Sequence, residues 1–156
     1  MDEILTASGE RSSRVLEFRQ HVFERFRQRS NIPPLTGAPA APREKTYSAQ
    51  SGFVYRYTYS GQRAASRQGF AGTEYVFKTS PDAKTSFPVS VFVLAEAVES
   101  WEGGHARTLT ATERYAVAKM ALFQAFDERL DPGEMRQEVW VRATDIEAIL
   151  ETLDID

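Results

Sequence analysis

The chain of 156 residues contains no cysteine, which excludes disulfide bonds, thiolate metal sites and cysteine nucleophiles. Its two histidines are too few for a three-histidine zinc site. No apolar run is long enough to cross a bilayer, and the acidic first residues lack the apolar stretch of a signal peptide. These absences predict a cytoplasmic protein with no metal, no other cofactor and no membrane partner. A content of 42% hydrophobic residues is typical of a globular domain.

The motifs of common enzyme classes are also missing. The chain has no glycine-rich dinucleotide-binding turn, no Walker loop and no nucleophile elbow. Tyr115 and Lys119 have the Tyr-x-x-x-Lys spacing of the short-chain dehydrogenases, but without the dinucleotide turn the spacing favours a core tyrosine beside a solvent-reaching lysine. His21 and His105 have no metal-ligand spacing. The sequence therefore leans against an enzyme, identifies no catalytic residue and leaves the chemistry of these four side chains open.

Charge is unevenly distributed along the chain. The whole chain carries 19 basic and 22 acidic residues, a net charge of −3. Residues 1–94 carry 13 basic and 8 acidic residues, a net charge of +5, whereas residues 95–156 carry 6 and 14, a net charge of −8. Either acidic helices pack over a basic sheet and cancel its field, or the two parts attract partners. Arginine outnumbers lysine by 15 to 4, which is typical of a GC-rich bacterial genome.

The amino-terminal region predicts a helix followed by a linker. Apolar residues recur at helical spacing over residues 12–29, and four prolines follow between residues 31 and 42. We therefore expect three parts: an N-terminal helical arm (1–30), a proline-rich linker (31–46) and a single α+β domain (47–156).

Residues that alternate between apolar and polar predict the strands. The predicted strands are 47–60, 73–79, 87–94 and 138–142, with a loop over 61–72 that contains glycine, serine and arginine. Their short separations indicate an antiparallel meander.

Three further helices are predicted in the second half. The first covers 95–102 and ends at Gly103-Gly104, and a buried second one begins at the capping box Thr110–Glu113. The last begins at a second capping box, Thr144–Glu147. The predicted fold class is α+β, with a mainly antiparallel four-stranded sheet, helices packed on one face and the order α-β-β-β-α-α-β-α.

The two faces of the predicted sheet differ in composition. The core-facing side chains are Phe53, Tyr55, Tyr57, Tyr75, Phe77, Val89, Val91, Val93, Val139 and Val141. The opposite face carries Val54, Val76, Phe92 and Trp140 beside Arg56, Glu74, Lys78 and Arg142. Four large apolar groups on an open face require a cover: the N-terminal helix, a second copy of the chain or another protein.

These patterns predict a non-enzymatic protein-interaction module of the adaptor, regulator or immunity-protein type, acting on a protein partner or as a homodimer. The predicted interaction patch comprises Val54, Val76, Phe92, Trp140, Arg56 and Arg142, and an acidic surface comprises Glu147, Glu151, Asp154 and Asp156. One alternative is a nucleic-acid-binding protein that uses the sheet and the basic N-terminal helix (Arg11, Arg14, Arg25, Arg27 and Arg29), although a pI near 5.5 argues against it. A second alternative is a small enzyme with an unrecognised site.

Overall fold

The computed structural model describes residues 32–156, in which a curled five-stranded sheet carries three helices. The compact unit comprises Pro34–Asp156. The predicted α+β class is confirmed, whereas the predicted four strands are one too few. The predicted helical arm lies outside the described residues.

The strands lie side by side in chain order. They are β1 (Lys45–Ser48), β2 (Val54–Arg67), β3 (Phe70–Ser80), β4 (Phe87–Leu94) and β5 (Val139–Val141). The first four form an antiparallel meander, while β5 pairs in parallel with β4. A parallel neighbour needs a long crossover connection, and here two helices form it.

The predicted loop over 61–72 is wrong, because this segment forms the far half of a long β2–β3 hairpin. The hairpin turns at Gln68 and Gly69, which both have positive φ (53° and 82°), the geometry that a two-residue hairpin turn requires. Gly61 marks a β-bulge where the register shifts after Tyr59. The glycines that predicted a loop have other roles: Gly61 allows β2 to bend, and Gly69 allows the chain to turn from β2 into β3.

The predicted strand over 47–60 is two strands. They are joined by a tight turn, in which the Ala49 N–H donates to the Phe53 carbonyl at 2.9 Å and the Gly52 N–H donates to the Ala49 carbonyl at 3.0 Å. The element order of the described part is therefore β-β-β-β-α-α-β-α. The predicted order had three strands before the helices.

The helices are α1 (Ala95–His105), α2 (Ala111–Glu128) and α3 (Ala143–Thr152), and a 3₁₀ turn (Pro132–Arg136) precedes β5. Within residues 32–156, no helix has both the length and the apolar character needed to cross a membrane.

The helix ends follow the predicted chemistry only in part. The predicted capping box of α2 is confirmed: the Thr110 hydroxyl accepts from the Glu113 N–H at 3.1 Å, and the Glu113 carboxylate accepts from the Thr110 N–H at 3.0 Å. Helix α1 continues through both glycines to His105 and is followed by Ala106, which has the left-handed conformation. Helix α3 begins earlier than predicted, because the Asp145 carboxylate accepts from the Arg142 N–H at 2.9 Å.

The main core lies between the helices and one face of the sheet. Nine of the ten predicted core-facing side chains are buried there, and the exception is Phe53, which is 38% exposed. Tyr55 stacks on Phe126 of α2 with ring centroids 4.1 Å apart. Alternation in the strands therefore identified the core face correctly.

Candidate functional site: a tyrosine groove

The predicted interaction patch divides into buried and exposed residues. Phe92 is fully buried and Val76 is 7% exposed, whereas Val54 is 52% exposed. Trp140 is half-buried and packs edge-to-face on Phe92, with ring centroids 5.2 Å apart. The Arg142 guanidinium lies 5.5 Å from the centre of the Trp140 ring. The structure therefore brings Phe92, Trp140 and Arg142 together.

The remaining arginine of the patch, Arg56, lies 3.7 Å from the Glu44 carboxylate and donates to the Asp82 carbonyl at 3.3 Å. These contacts are made at the end of β2 that pairs with Ser80, whereas Phe92 pairs with Glu74 farther along the sheet. The role of the patch as an interaction surface stays a prediction.

A buried carboxylate, Glu74, organises the middle of this face. It is 5% exposed and lies 3.0 Å from Arg63 Nε and 3.1 Å from Arg67 Nη2, and it accepts from the Ser90 hydroxyl at 2.8 Å. Burial raises the pKa of Glu74, but the hydrogen bonds from Arg63 and Ser90 and the charges of both arginines outweigh this effect and lower it. Both arginines lie in the segment that the sequence predicted as a loop, so this network was missed.

The predicted acidic surface is exposed at all four of its residues, Glu147, Glu151, Asp154 and Asp156. The nearest described base is His105, whose Nε2 lies 3.5 Å from Glu147. The ring of His105 also stacks on Trp101 at 4.2 Å. Nothing in these contacts brings the surface to the sheet.

Ion pairs seldom join the basic and acidic parts of the chain. Among the ion pairs formed within residues 32–156, only Arg67–Glu138, at 3.2 Å, joins a residue before position 95 to one after it. The others stay within their own part of the chain. Direct pairing therefore leaves much of the charge asymmetry in place.

The described residues form a groove of about 670 Å³. It lies between the irregular segment that precedes β1, strand β2 and the first turns of α2. We call it the tyrosine groove, and its lining residues are Gly37, Pro39, Ala41, Arg43, Lys45, Tyr57, Tyr59, Gln62, Ala111, Thr112 and Tyr115. A volume of this size is in the range of ligand-binding pockets.

One wall of the groove is an arch formed by residues 37–44. Its first foot is the pair Thr36 and Gln62, whose backbones exchange hydrogen bonds of 2.9 and 2.8 Å. Its second foot is Lys45, which pairs with Tyr57 at the start of β1. Between the feet, the arch makes no backbone hydrogen bond to another described residue, and every second side chain of residues 37–45 lines the groove. The lack of a side chain at Gly37 and the small side chain of Ala41 leave the space open.

The opposite wall is aromatic. The rings of Tyr59 and Tyr115 lie 4.8 Å apart, and Tyr59 also lies 5.4 Å from Phe77. Burial, supported by the nearby phenols of Tyr75 and Tyr115, raises the pKa of Tyr59 to about 12. Burial also raises the pKa values of Tyr57 and Tyr115. All three tyrosines are therefore neutral phenols at physiological pH, able to donate hydrogen bonds into the groove.

The charged groups at the groove are cations. Arg43 and Lys45 line it, and Lys119 lies one helical turn beyond Tyr115, with its Nζ 5.7 Å from the Phe123 ring centre. No carboxylate of residues 32–156 lies within 4 Å of any of these three cations. The groove thus combines apolar surface with cations that no described carboxylate contacts directly, which suits an anionic ligand.

The sequence predicted little of this groove. The arch falls in the predicted proline-rich linker, and residues 37–42 are all glycine, alanine or proline, so no alternation marks the positions that line the groove. Tyr115 was expected in the core, and it is half-buried against Tyr59 instead. His21 lies outside the described residues, and no cluster of three or more potential metal ligands occurs within them.

No protein-family model matches the chain, and no curated protein or solved structure is recognisably similar to it. The functional proposal below therefore depends on the geometry of the groove.

Proposed function

We propose that this protein is a non-enzymatic interaction module of the bacterial cytoplasm, and that the tyrosine groove binds an acidic segment of a partner protein. The observation that carries the proposal is that Arg43 and Lys45 line an aromatic groove, with Lys119 beside Lys45, and that no carboxylate of the described chain lies within 4 Å of these cations. Cations beside apolar surface bind anions more strongly than the same cations in open water, because the low-dielectric wall screens them less.

The shape of the groove favours a polypeptide as the ligand. The arch is exposed and bends at residues 40 and 41, and its backbone groups make no hydrogen bond to the backbone of other described residues. A peptide laid along the arch would form main-chain hydrogen bonds with its residues other than Pro39 and Pro42, which lack an N–H, and would place side chains in the groove. Acidic side chains would then meet the cations, and apolar ones would meet Tyr59 and Tyr115.

Charge would also speed association. The basic part of the chain keeps most of its charge, since Arg67–Glu138 is its only described ion pair with the acidic part. A partner segment with negative charge would be attracted over about a Debye length, roughly 8–10 Å at physiological salt. We therefore expect the rate of association to fall as salt is added.

The proposal is tested with short synthetic peptides that contain one aromatic residue and differ in net charge. Binding to the full chain is measured by fluorescence anisotropy at two salt concentrations. We expect acidic peptides to bind, basic peptides not to bind, and affinity to fall with salt.

Groove-filling variants locate the binding. Ala41→Trp places a large ring in the groove and should abolish binding, whereas Ala83→Trp, at an exposed position in the β3–β4 turn, should bind like the unmodified protein. Equal binding of acidic and basic peptides, or unchanged binding by Ala41→Trp, would contradict the proposal. Preferential binding of a single-stranded oligonucleotide would instead support the nucleic-acid alternative.

A second candidate function is self-association through Trp140. This half-buried side chain belongs to β5, the last strand of the sheet, and the Arg142 guanidinium lies over its ring. Tryptophan and arginine are the residues that most often anchor interfaces. Light scattering on the full chain should give a dimer that Trp140→Ser converts to a monomer; a monomeric unmodified protein would exclude this candidate.

A further inference from the structure

A second feature of the groove is the meeting of two lysines at one corner. Lys45 precedes Tyr47 by two residues in β1, so both side chains lie on the same face of the sheet. Tyr47 stacks on Phe123, and the Lys119 ammonium lies 5.7 Å from the centre of that same ring. Lys119 therefore lies beside the stacked rings of Tyr47 and Phe123, on the face of the sheet that also carries Lys45.

The two ammonium groups repel each other at this corner. Burial lowers the pKa of Lys119, and the charge of Lys45 and close contact with its side chain lower it further. Like charges held together destabilise a fold unless something compensates for them. No carboxylate within residues 32–156 approaches either lysine closer than 4 Å, so the described chain supplies no compensating charge by direct contact.

We infer that Lys45 and Lys119 form a subsite for a phosphate monoester carried on a planar ring. A phosphate monoester carries nearly two negative charges at neutral pH and can match both lysines, whereas a carboxylate carries one. Arg43 lies two residues from Lys45 on the same wall and is a third donor within the groove. Beyond the lysines, Tyr57, Tyr59 and Tyr115 provide aromatic surface on which the ring of the ligand can pack.

The inference deepens the proposed function, because it names the group that would anchor an acidic partner segment in the same groove. Such a group has two sources: a phosphorylated tyrosine of a partner protein, in which the phosphate is bonded to the ring, and a free nucleotide, in which a ribose separates the phosphate from the base. Both place a phosphate monoester near a planar ring, so they are separated by experiment.

The test is calorimetric titration of the full chain with four probes: phenyl phosphate, benzoate, phenol and inorganic phosphate. We expect phenyl phosphate to bind at least about tenfold more tightly than benzoate or inorganic phosphate, and phenol not to bind. Equal affinity for benzoate and phenyl phosphate would overturn the inference, because a single charge would then suffice.

Variants of the two lysines test whether their side chains bind the phosphate. Lys45→Gln and Lys119→Gln should each weaken binding of phenyl phosphate about tenfold or more, while Lys84→Gln, an exposed control, should not. Both variants relieve repulsion, so their urea midpoints should equal or exceed that of the unmodified protein, and loss of binding cannot then be ascribed to unfolding. Unchanged affinity in both variants would also overturn the inference.

Two further probes identify the source of the phosphate. A peptide that contains phosphotyrosine should compete with phenyl phosphate if the ligand is a protein, and adenosine monophosphate should compete if it is a nucleotide. Acidic peptides that bind the groove, with no binding of phenyl phosphate, would refute the subsite alone. Phenyl phosphate that binds through the lysines, with no binding of acidic peptides, would refute the proposed function alone.

Discussion

Tyr47 and Phe123 stack face to face, with ring centroids 4.2 Å apart and ring planes 6° from parallel. The Tyr47 hydroxyl also donates to the Asp127 carboxylate at 2.8 Å. Tyr55, the residue opposite Tyr47 in the β1–β2 ladder, stacks on Phe126 in the same way. The hydroxyl of Tyr55, however, is buried and has no hydrogen-bond partner among the described residues. The two neighbouring tyrosines therefore pack in the same way, but only the Tyr47 hydroxyl has a hydrogen-bond partner among the described residues.

This difference predicts opposite effects of the same substitution. Tyr47→Phe keeps the stack and loses a hydrogen bond to a charged acceptor, so it should lower the free energy of unfolding by about 1–2 kcal/mol. Tyr55→Phe removes a hydroxyl whose burial is uncompensated, and it should leave stability unchanged or raise it by up to about 1 kcal/mol. Urea denaturation measures both. A larger loss for Tyr55→Phe than for Tyr47→Phe would contradict the assignment.

A second prediction compares alanine substitutions at two glycines, one in close contact with its neighbours and one in open space. The first is Gly72. A Cβ at this position would lie 2.5 Å from the Val93 carbonyl oxygen and 2.6 Å from the ring of Phe92, which is fully buried. Gly72→Ala should therefore destabilise the protein by about 1–3 kcal/mol or more, because neither the backbone nor the ring can move away easily.

The control for this substitution is Gly104→Ala, near the end of α1. A Cβ there meets no atom within 4 Å, so the gain in helix propensity should raise stability by about 0.5–1 kcal/mol. Thermal unfolding of the two variants should shift in opposite directions. A stable Gly72→Ala protein would show that the packing of Phe92 against β3 is not as close as described.

Local patterns predicted the strands in which apolar and polar residues alternate, and they predicted the helix that begins at a capping box. Tyr55, Tyr57, Phe77 and Val91 follow a period of two, and Thr110 carries the hydroxyl and spacing of a capping box. These features depend on neighbours in the chain, which is why the sequence suffices for them.

Features that depend on distant residues were missed. The segment around Arg63 and Arg67 contains glycine, alanine and serine, which indicates a loop; its pairing with β3 and the burial of Glu74 beneath its arginines make it a strand. The tyrosine groove was missed for the same reason. Residues 37–44 resemble a linker until Thr36 is seen to pair with Gln62, 26 positions later.

Glu74 predicts a pH dependence of stability. Its pKa in the folded protein is lowered from the ordinary value of 4.5, because the hydrogen bonds and charges of Arg63, Ser90 and Arg67 outweigh the effect of burial. Its stabilising contribution is therefore complete above the pKa of the unfolded chain and is lost as the pH falls through the lower folded pKa. Glu74→Gln should lower the free energy of unfolding by about 2 kcal/mol at neutral pH.

The difference between Glu74→Gln and the unmodified protein should shrink as the pH falls below about 4.5. Urea denaturation across a series of pH values measures it. Glu128→Gln, at the exposed end of α2, controls for the loss of one charge and should change stability by less than about 0.5 kcal/mol at neutral pH. A Glu74→Gln difference that grows toward acid would reverse the assigned direction of the pKa shift.

Gly61 links the fold to the groove. It has a φ of +127°, and a Cβ at this position would lie 2.9 Å from the Thr36 carbonyl oxygen, which accepts the Gln62 N–H at the first foot of the arch. Gly61→Ala should therefore strain the bulge and separate the foot from β2. We expect loss of hydrogen-exchange protection at the Gln62 amide, together with weaker binding of any groove ligand.

The control is Gly69→Ala, at a residue with a φ of +82° and no atom within 4 Å of the added Cβ. It imposes backbone strain of about 1 kcal/mol without touching the arch, so it should destabilise the hairpin and leave the Gln62 amide protected. Equal exchange at Gln62 in both variants would mean that strain in β2, and not contact with Thr36, holds the arch in place.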